Sequence, residues 1–460
     1  MRHAMTVCVA MALVCVAGSA CGQAKKTLPA FPGAEGFGAI AVGGRGGRII
    51  KVSNLKTSGP GSLQAACQTK GARTVVFDVS GVIPGGVTIT SGKLTIAGQT
   101  APGAGITIEG LLATEYRIEP PCNDIIIRFL RVRPRPPRRK TVSGDCLQLT
   151  RVDRLMIDHV SCSWGCDENM DLCGSSNVTV QWSAIEESDP RGHVKGQHNY
   201  GMIIGYTDRG DVTIHHNLFA HHQKRAPLIG CDIVDHRNNV IYNMLLPFIL
   251  HPMDMNRRRP GKPFRFNLVA NTFLSGPNVK NHMKGRPLDK LIWNRPNTHL
   301  HALCNTCSWI AGEGRAKSTA KPLSEKPWPA PPVKTQSAPA ACKLVLARAG
   351  CLPRDTVSKR TVKEVRTATG SWGRHEPRGG LMEGLKVARP PADTDADGMS
   401  DKWERAHNLD PSDPADASKT VPAGASPRDR HKGYTWIEFY INDLADKLIA
   451  AQEPVVKEST

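Results

Sequence analysis

From about residue 73 the chain breaks into short β-branched runs with almost no amphipathic helix between them. The runs are 74–77, 87–89, 94–96, 106–108, 125–132, 155–157, 178–182, 212–214, 240–242 and 268–269. Several recur at intervals of roughly 22 to 34 residues, the spacing of solenoid coils. Gly, Asn, Asp and Pro fill the gaps and punctuate the chain as turns. A βαβ fold would place helices between the strands, and a sandwich would show cleaner alternation with hairpin dipeptides. Asn217, Asn239 and Asn271 recur at one phase of the repeat. Asparagines so placed stack and hydrogen-bond up a parallel β-helix. The expected fold is therefore all-β, a parallel β-helix with short capping helices.

The 460 residues suffice for one large domain with appendages. The 60 Lys and Arg outnumber 41 Asp and Glu, a net charge of +19. That excess suits a polyanionic partner or simply a soluble basic protein. Arg2 and His3, an apolar stretch from Ala4 to Ala17, and Gly18-Ser19-Ala20 read as a cleaved secretory signal over residues 1–24. Cys21 leaves a lipoprotein anchor as the alternative. Secretion argues against nucleic acid as the polyanion, and no later stretch is long and apolar enough to span a bilayer. A monomer is expected. About eleven or twelve cysteines survive cleavage. Cys304 and Cys307 read as a local disulfide or free buried thiols, and Cys146, Cys162 and Cys173 as stacked thiols in a solenoid core.

The β-helix is expected over 25–310. Its early glycines, Gly33 to Gly47, read as turns, and Ser62 as the N-cap of a short helix that closes the solenoid end. Residues 311–341 are rich in Pro, Lys, Ser and Ala and read as a linker or draped loop. Residues 342–390, with short helices near 344–350 and 362–368, pack back on the solenoid. Residues 391–445 hold Asp393-Thr394-Asp395-Ala396-Asp397-Gly398-Met399-Ser400-Asp401-Lys402-Trp403-Glu404, and 446–460 form a tail. That string fits the pattern of an EF-hand calcium loop without departure. Asp393, Asp395, Asp397, Asp401 and Glu404 fall at ligand positions 1, 3, 5, 9 and 12. Asp410, Asp413 and Asp416 offer a partner segment too irregular for a second loop.

Between residues 144 and 225 acidic side chains gather at the edges of the β runs: Asp145, Asp158, Asp167, Glu168 and Asp171, with Arg225 downstream. Clustered carboxylates favour a hard cation such as Ca²⁺, although turn aspartates are common in solenoids. His215, His216, His221 and His222 read as solvent-side groups, and Asp158 and His159 as structural neighbours.

Phe31-Pro32-Gly33-Ala34-Glu35-Gly36, the 94–103 segment, Ile127-Arg128-Phe129-Leu130-Arg131, Ile157-Asp158-His159 and Arg225-Ala226-Pro227 together resemble the polysaccharide lyase family 1 pectate lyases, particularly secreted bacterial ones. The similarity covers about residues 29–274 well and 341–445 moderately. It implies a right-handed β-helix that cleaves polygalacturonate by β-elimination, with Ca²⁺ bridging enzyme and uronate. The family's calcium carboxylates fall on Asp145, Asp167 and Asp171. A fourth acidic position is Ser143 here, which either weakens calcium binding or passes that role to Glu168. The proton-abstracting arginine falls on Arg225. A second arginine of that motif is Gly230 here, so substrate binding on that side differs or uses Lys224 or Arg237. Lys195, with His198 as its neighbour, matches the substrate lysine. Two other classes stay open: a glycoside hydrolase on the same solenoid, and a non-catalytic protein that binds acidic polysaccharide.

Overall fold

The computed structural model describes residues 28–135, 144–205, 210–245, 249–250, 264–279, 292–293, 298–307, 313–314, 324–373 and 376–452. The leader with Cys21, Ser143, much of the 311–341 linker and the end of the tail lie outside the described residues. Three sheets of ten, eight and ten strands run the length of the domain, and successive coils of the chain supply one strand to each. Among the described residues neighbouring strands are parallel, except for one terminal antiparallel pair, Asn305–Cys307 with Glu313–Gly314. The chain is a right-handed parallel β-helix, the sense that twisted strands impose on such crossovers.

Register explains the interior. In the first ten-stranded sheet Leu94, Ile125, Leu155, Val178, Val212, Val234, Phe266 and Leu300 stand in one column across eight coils. All of them are buried. Alternate residues of each strand face this column, so one apolar residue per coil suffices to continue it.

The corner leading from this sheet to the second ten-stranded sheet has a two-residue recipe. Its first residue is left-handed: Phe129, His159, Trp182, His216, Asn238, Ala270 and Cys304 all have φ between 47° and 56°. Such a backbone is uncommon without glycine, and ring stacking accompanies it. Phe129 stacks on His159 at 4.6 Å and Trp182 on His216 at 4.2 Å. From Asn217 onward the second residue is asparagine. The Asn217, Asn239 and Asn271 backbone N–H groups donate to the side-chain oxygens of Asn239, Asn271 and Asn305, each at 2.9 Å. The expected ladder is present and is one rung longer, with Asn305.

Helix α1 (Leu63–Gln68) is capped by Ser62, whose hydroxyl accepts from the Ala65 N–H at 3.2 Å. Helices α2 (Ala338–Arg348) and α3 (Thr356–Thr367) place Val345, Leu346, Val362 and Val365 against Ala184, Leu218, Val240 and Tyr242 on the outside of the solenoid. A short helix α4 (Asp401–Ala406) and the 15-residue α5 (Trp436–Ala450) form a C-terminal cap. Met399, Trp403, Val421, Trp436 and Ile437 of this cap bury Val76 and Ala97 on the first sheet. Helix α5 starts with a capping box, Thr435 and Glu438 bonding each other's backbone ends. Among the described residues no helix is long and apolar enough to cross a membrane.

Cys146 and Cys162 are buried inside the solenoid, as expected, and burial pushes the Cys162 thiol up to about 12, whereas Cys173 is only half-buried. Cys304 and Cys307 carry free thiols, but Cys304 is exposed and Cys307 half-buried, not in the core. The four histidines do not face solvent. His215, His216, His221 and His222 are at most 1% exposed. His215 and His216 bond each other and Gln181 and Gln336, while His222 bonds Ser188 and the Ile185 carbonyl. The αL corner turns these side chains along the wall of the solenoid, where polar partners hold them.

Candidate active site

The eight-stranded sheet carries the acidic stretch. Its strands Leu147–Gln148, Glu168–Asp171, Tyr200–Ile204 and Leu228–Ile229 lie side by side. Glu168 pairs with Tyr200, and Tyr200 with Lys224, so three coils stack a carboxylate, an aromatic ring and an ammonium group. Asp145 lies one coil before Glu168 and accepts its backbone N–H at 2.9 Å, while Gln148 donates to its other oxygen at 3.2 Å. Asp171 pairs with Gln148 along the same sheet.

Asp145, Asp167 and Glu168 bring carboxylate oxygens within 4.8 Å of one another. Burial and the charges of Asp171 and Asp167 hold the Asp145 carboxyl well above the usual range, with Arg225 partly opposing them. Burial also raises Asp171. Carboxylates crowded in this way favour a bound cation over mutual repulsion. One oxygen of Asp167 is buried without a hydrogen-bond donor in good geometry. The residues present therefore fit a hard divalent ion.

Arg225 sits in a turn at φ 70°, outside the strand pattern. Its guanidinium lies 3.9 Å from the centroid of the Tyr200 ring and is ion-paired with Glu168. Burial lowers its pKa to about 10, against the opposing pull of Asp167 and Asp145. Lys224 stands over the same ring at 5.1 Å. Asp167 is flanked by His198 at 2.7 Å and His193 at 3.5 Å. The His193 Nδ1 accepts the Lys195 N–H at 3.1 Å, which leaves its Nε2 hydrogen to point at Asp167. Lys195 itself is exposed on this loop.

Of the residues expected from sequence, Asp145, Asp167, Glu168, Asp171 and Arg225 are brought together. Glu168 faces Arg225 as well as the carboxylates. Arg237 is elsewhere: it lies on the first sheet, paired with both oxygens of Asp235. Lys224 is the cation beside Arg225. Asp158 is buried between Arg128, His159 and Gln181 and belongs to the solenoid wall. Tyr200 and His193 escape a reading of the sequence, since only the coil register places them here.

A second acidic cluster lies in the C-terminal cap. Asp393, Asp395 and Asp397 bring oxygens within 4.8 Å of one another, and so do Asp397, Glu404 and Asp416. Asp401, at loop position 9, is in neither group. Its two oxygens accept from the Thr394 N–H and hydroxyl, both at 2.8 Å, because the first turn of α4 swings it back over the loop entrance.

No family model matches the chain. Over 450 residues it is 30% identical to a probable pectate lyase C of Aspergillus fumigatus, covering 93% of this chain and 96% of that protein. The chain belongs to the pectate lyase family. It is a polysaccharide lyase. A probable pectate lyase C of Neosartorya fischeri is 31% identical over 452 residues, with 93% and 96% covered. That of Aspergillus terreus is 31% identical over 441, with 91% and 94% covered. These relatives are fungal, whereas the motifs suggested bacterial enzymes. Two solved structures are also similar to the lyase. The cedar pollen major allergen jun a 1 has a TM-score of 0.48 at 17% identity, with 69% of this chain and 93% of that one covered. A pectate lyase of Bacillus sp. N165 in complex with trigalacturonate has a TM-score of 0.43 at 14% identity, with 69% and 98% covered.

Proposed function

We propose that the lyase is a secreted, monomeric, calcium-dependent pectate lyase that cleaves polygalacturonate by β-elimination and releases unsaturated oligogalacturonides. The observation that carries this reading is Arg225: a guanidinium pushed down to about 10 by burial, set against a cluster of carboxylates. The C5 hydrogen of a uronate lies α to a carboxylate. Arg225 in its neutral form accepts that proton, and its buried setting makes the neutral form accessible at alkaline pH. Asp145, Asp167, Asp171 and Glu168 are the residues that would hold Ca²⁺, with His193 and His198 fixing Asp167. A calcium ion bound there would neutralise the uronate carboxylate and make its C5 hydrogen more acidic. Lys224, and Lys195 from the loop above, supply positive charge for neighbouring uronates, and the net charge of +19 draws in a polyanion. In the cap, the loop 393–404 is read as an EF-hand-like calcium site.

The test is ultraviolet absorbance on polygalacturonate with calcium, with chelator, and for Arg225→Ala. Absorbance reports the conjugated uronate that only elimination makes. It should rise with calcium, stop with chelator and be lost in the variant. Reducing ends without absorbance would mean hydrolysis, and the reading would fall.

A further inference from the structure

The carboxylates of the C-terminal cap share one habit. Asp393 Oδ2 is held by the Lys51 ammonium at 2.7 Å and the Gly398 N–H at 3.0 Å, while its Oδ1 has no partner. Asp395 and Asp397 each spend one oxygen on a backbone N–H, of Asp397 and Met399, and leave the other bare. Asp416 accepts the Asp410 N–H at 3.3 Å and leaves Oδ1 bare. Neither oxygen of Glu404 has a partner, although Glu404 is 0% exposed. Asp397 and Asp416 are 4% and 3% exposed. Buried carboxylate oxygens left unpaired are costly. One oxygen from each of four aspartates and two from one glutamate match the oxygen count and the bidentate glutamate of a calcium shell. Asp401 has no oxygen to give, since Thr394 occupies both.

We propose that Asp416, from a segment outside the loop, completes this calcium site in place of Asp401, and that the ion fastens the C-terminal cap to the first coils of the solenoid. The inference rests on reading 393–404 as a calcium loop. Asp416 opens a 3₁₀ turn (Asp416–Ser418) whose Ala417 is fully buried against the cap core. The chain then runs alongside the start of α5: Val421 N–H donates to the Tyr434 carbonyl at 2.8 Å and Trp436 N–H to the Lys419 carbonyl at 3.1 Å. An ion shared by Asp397, Glu404 and Asp416 therefore ties loop, turn and helix into one body. On the solenoid side, Lys51 anchors Asp393. A Cβ on Gly398 would come within 3.1 Å of Ile49 and Val76, so glycine lets the loop lie flat on the sheet. Without a cation, five carboxylates face one lysine, and their repulsion pushes the cap open.

The test uses the full chain, with limited proteolysis of the cap read by mass spectrometry across a calcium titration. Wild type should gain protection with calcium and lose it with chelator. Asp416→Asn and Glu404→Gln should need roughly tenfold more calcium or greater for half-protection, because ligand charge sets affinity in such sites. Asp401→Asn should match wild type. Wild-type behaviour of Asp416→Asn while Glu404→Gln is impaired would overturn the role of Asp416 but leave the loop reading standing. If Glu404→Gln also matched wild type, the loop reading itself would fall. Loss of protection in Asp416→Asn at every calcium concentration would assign Asp416 to the fold and not to the ion, and would also overturn the inference.

Discussion

Glu168 is ion-paired with Arg225, the proposed base, and Glu168→Gln tests how strongly that charge keeps the guanidinium protonated. The Glu168 carboxylate is ion-paired with the guanidinium in a site where Arg225 is 18% and Glu168 5% exposed at the side chain. A hydrogen bond to a charged partner contributes about 1.5–3 kcal/mol. At 1.36 kcal/mol per pH unit, losing the charge lowers the arginine pKa by about one to two units. Arg225 begins near 10. At pH 8 its neutral fraction is about 1%, and in the variant it becomes about 10% or more. The ascending limb of the kcat profile should therefore move down by about one to two units, and kcat at pH 8 should rise about tenfold. The assay is initial absorbance rate on polygalacturonate from pH 7 to 11, with calcium raised until it no longer matters. Saturating calcium is essential, because Glu168 also stands among the proposed calcium ligands and its loss weakens the ion. An unmoved limb, or one that moves up, would refute the assignment of Arg225 as the base or of Glu168 as its restraint.

Lys224→Ala should raise KM on polygalacturonate and flatten its salt dependence with little change in kcat, measured between low and high ionic strength, since its ammonium stands over Tyr200 beside the reacting group. Asn239→Ala removes the oxygen that accepts the Asn217 N–H and leaves that donor buried, a cost of roughly 3 kcal/mol with the lost volume, readable by urea unfolding. Acid should unfold the protein early. Burial holds His216 at about 4 and His222 and His236 at about 3, so each stays neutral in the fold while the unfolded chain takes up a proton below about 6.5. Their contribution is intact above pH 6.5 and drains as pH falls towards 3 to 4. By pH 5 the loss amounts to about 2 kcal/mol each, roughly 6 in all, a large part of a typical domain's stability. A melting temperature that stays flat from pH 7 to 5 would contradict this.

The fold is legible in the sequence because a solenoid is specified one coil at a time. A column needs one apolar residue per turn, and the runs at 125, 155, 178 and 212 supply it at a spacing visible by eye. Asn217, Asn239 and Asn271 mark the corner by their spacing alone. The left-handed corner residues Phe129 and Trp182 are not legible, because no propensity favours Phe or Trp at positive φ. What holds them there is stacking on the coil above, which a single strand of sequence does not display. The same blindness misplaces His215, His216, His221 and His222, whose polarity suggests water but whose partners are the wall of the solenoid. Helix α5 stays hidden because its apolar face is answered by Val76 and Ala97, more than three hundred residues earlier.

The site divides along the same line. Asp393, Asp395, Asp397 and Glu404 are set by one continuous loop, so local spacing reveals them. Asp416 joins them only because the chain folds back, and Asp401 leaves them only because α4 begins with it. In the groove, neighbours are decided by coil length, and coil length varies. Glu168 meets Tyr200 across a long coil, while Tyr200 meets Lys224 across a shorter one. A fixed period therefore cannot predict which side chains stack. That variation is also why the groove can change while the solenoid does not. The interior column tolerates any loop that returns in register, so the loop holding His193, Lys195 and His198 is free to alter what surrounds Asp167. Specificity among uronates should accordingly reside in that loop and in Lys224, and the chemistry in the carboxylates at the strand edges and in Arg225.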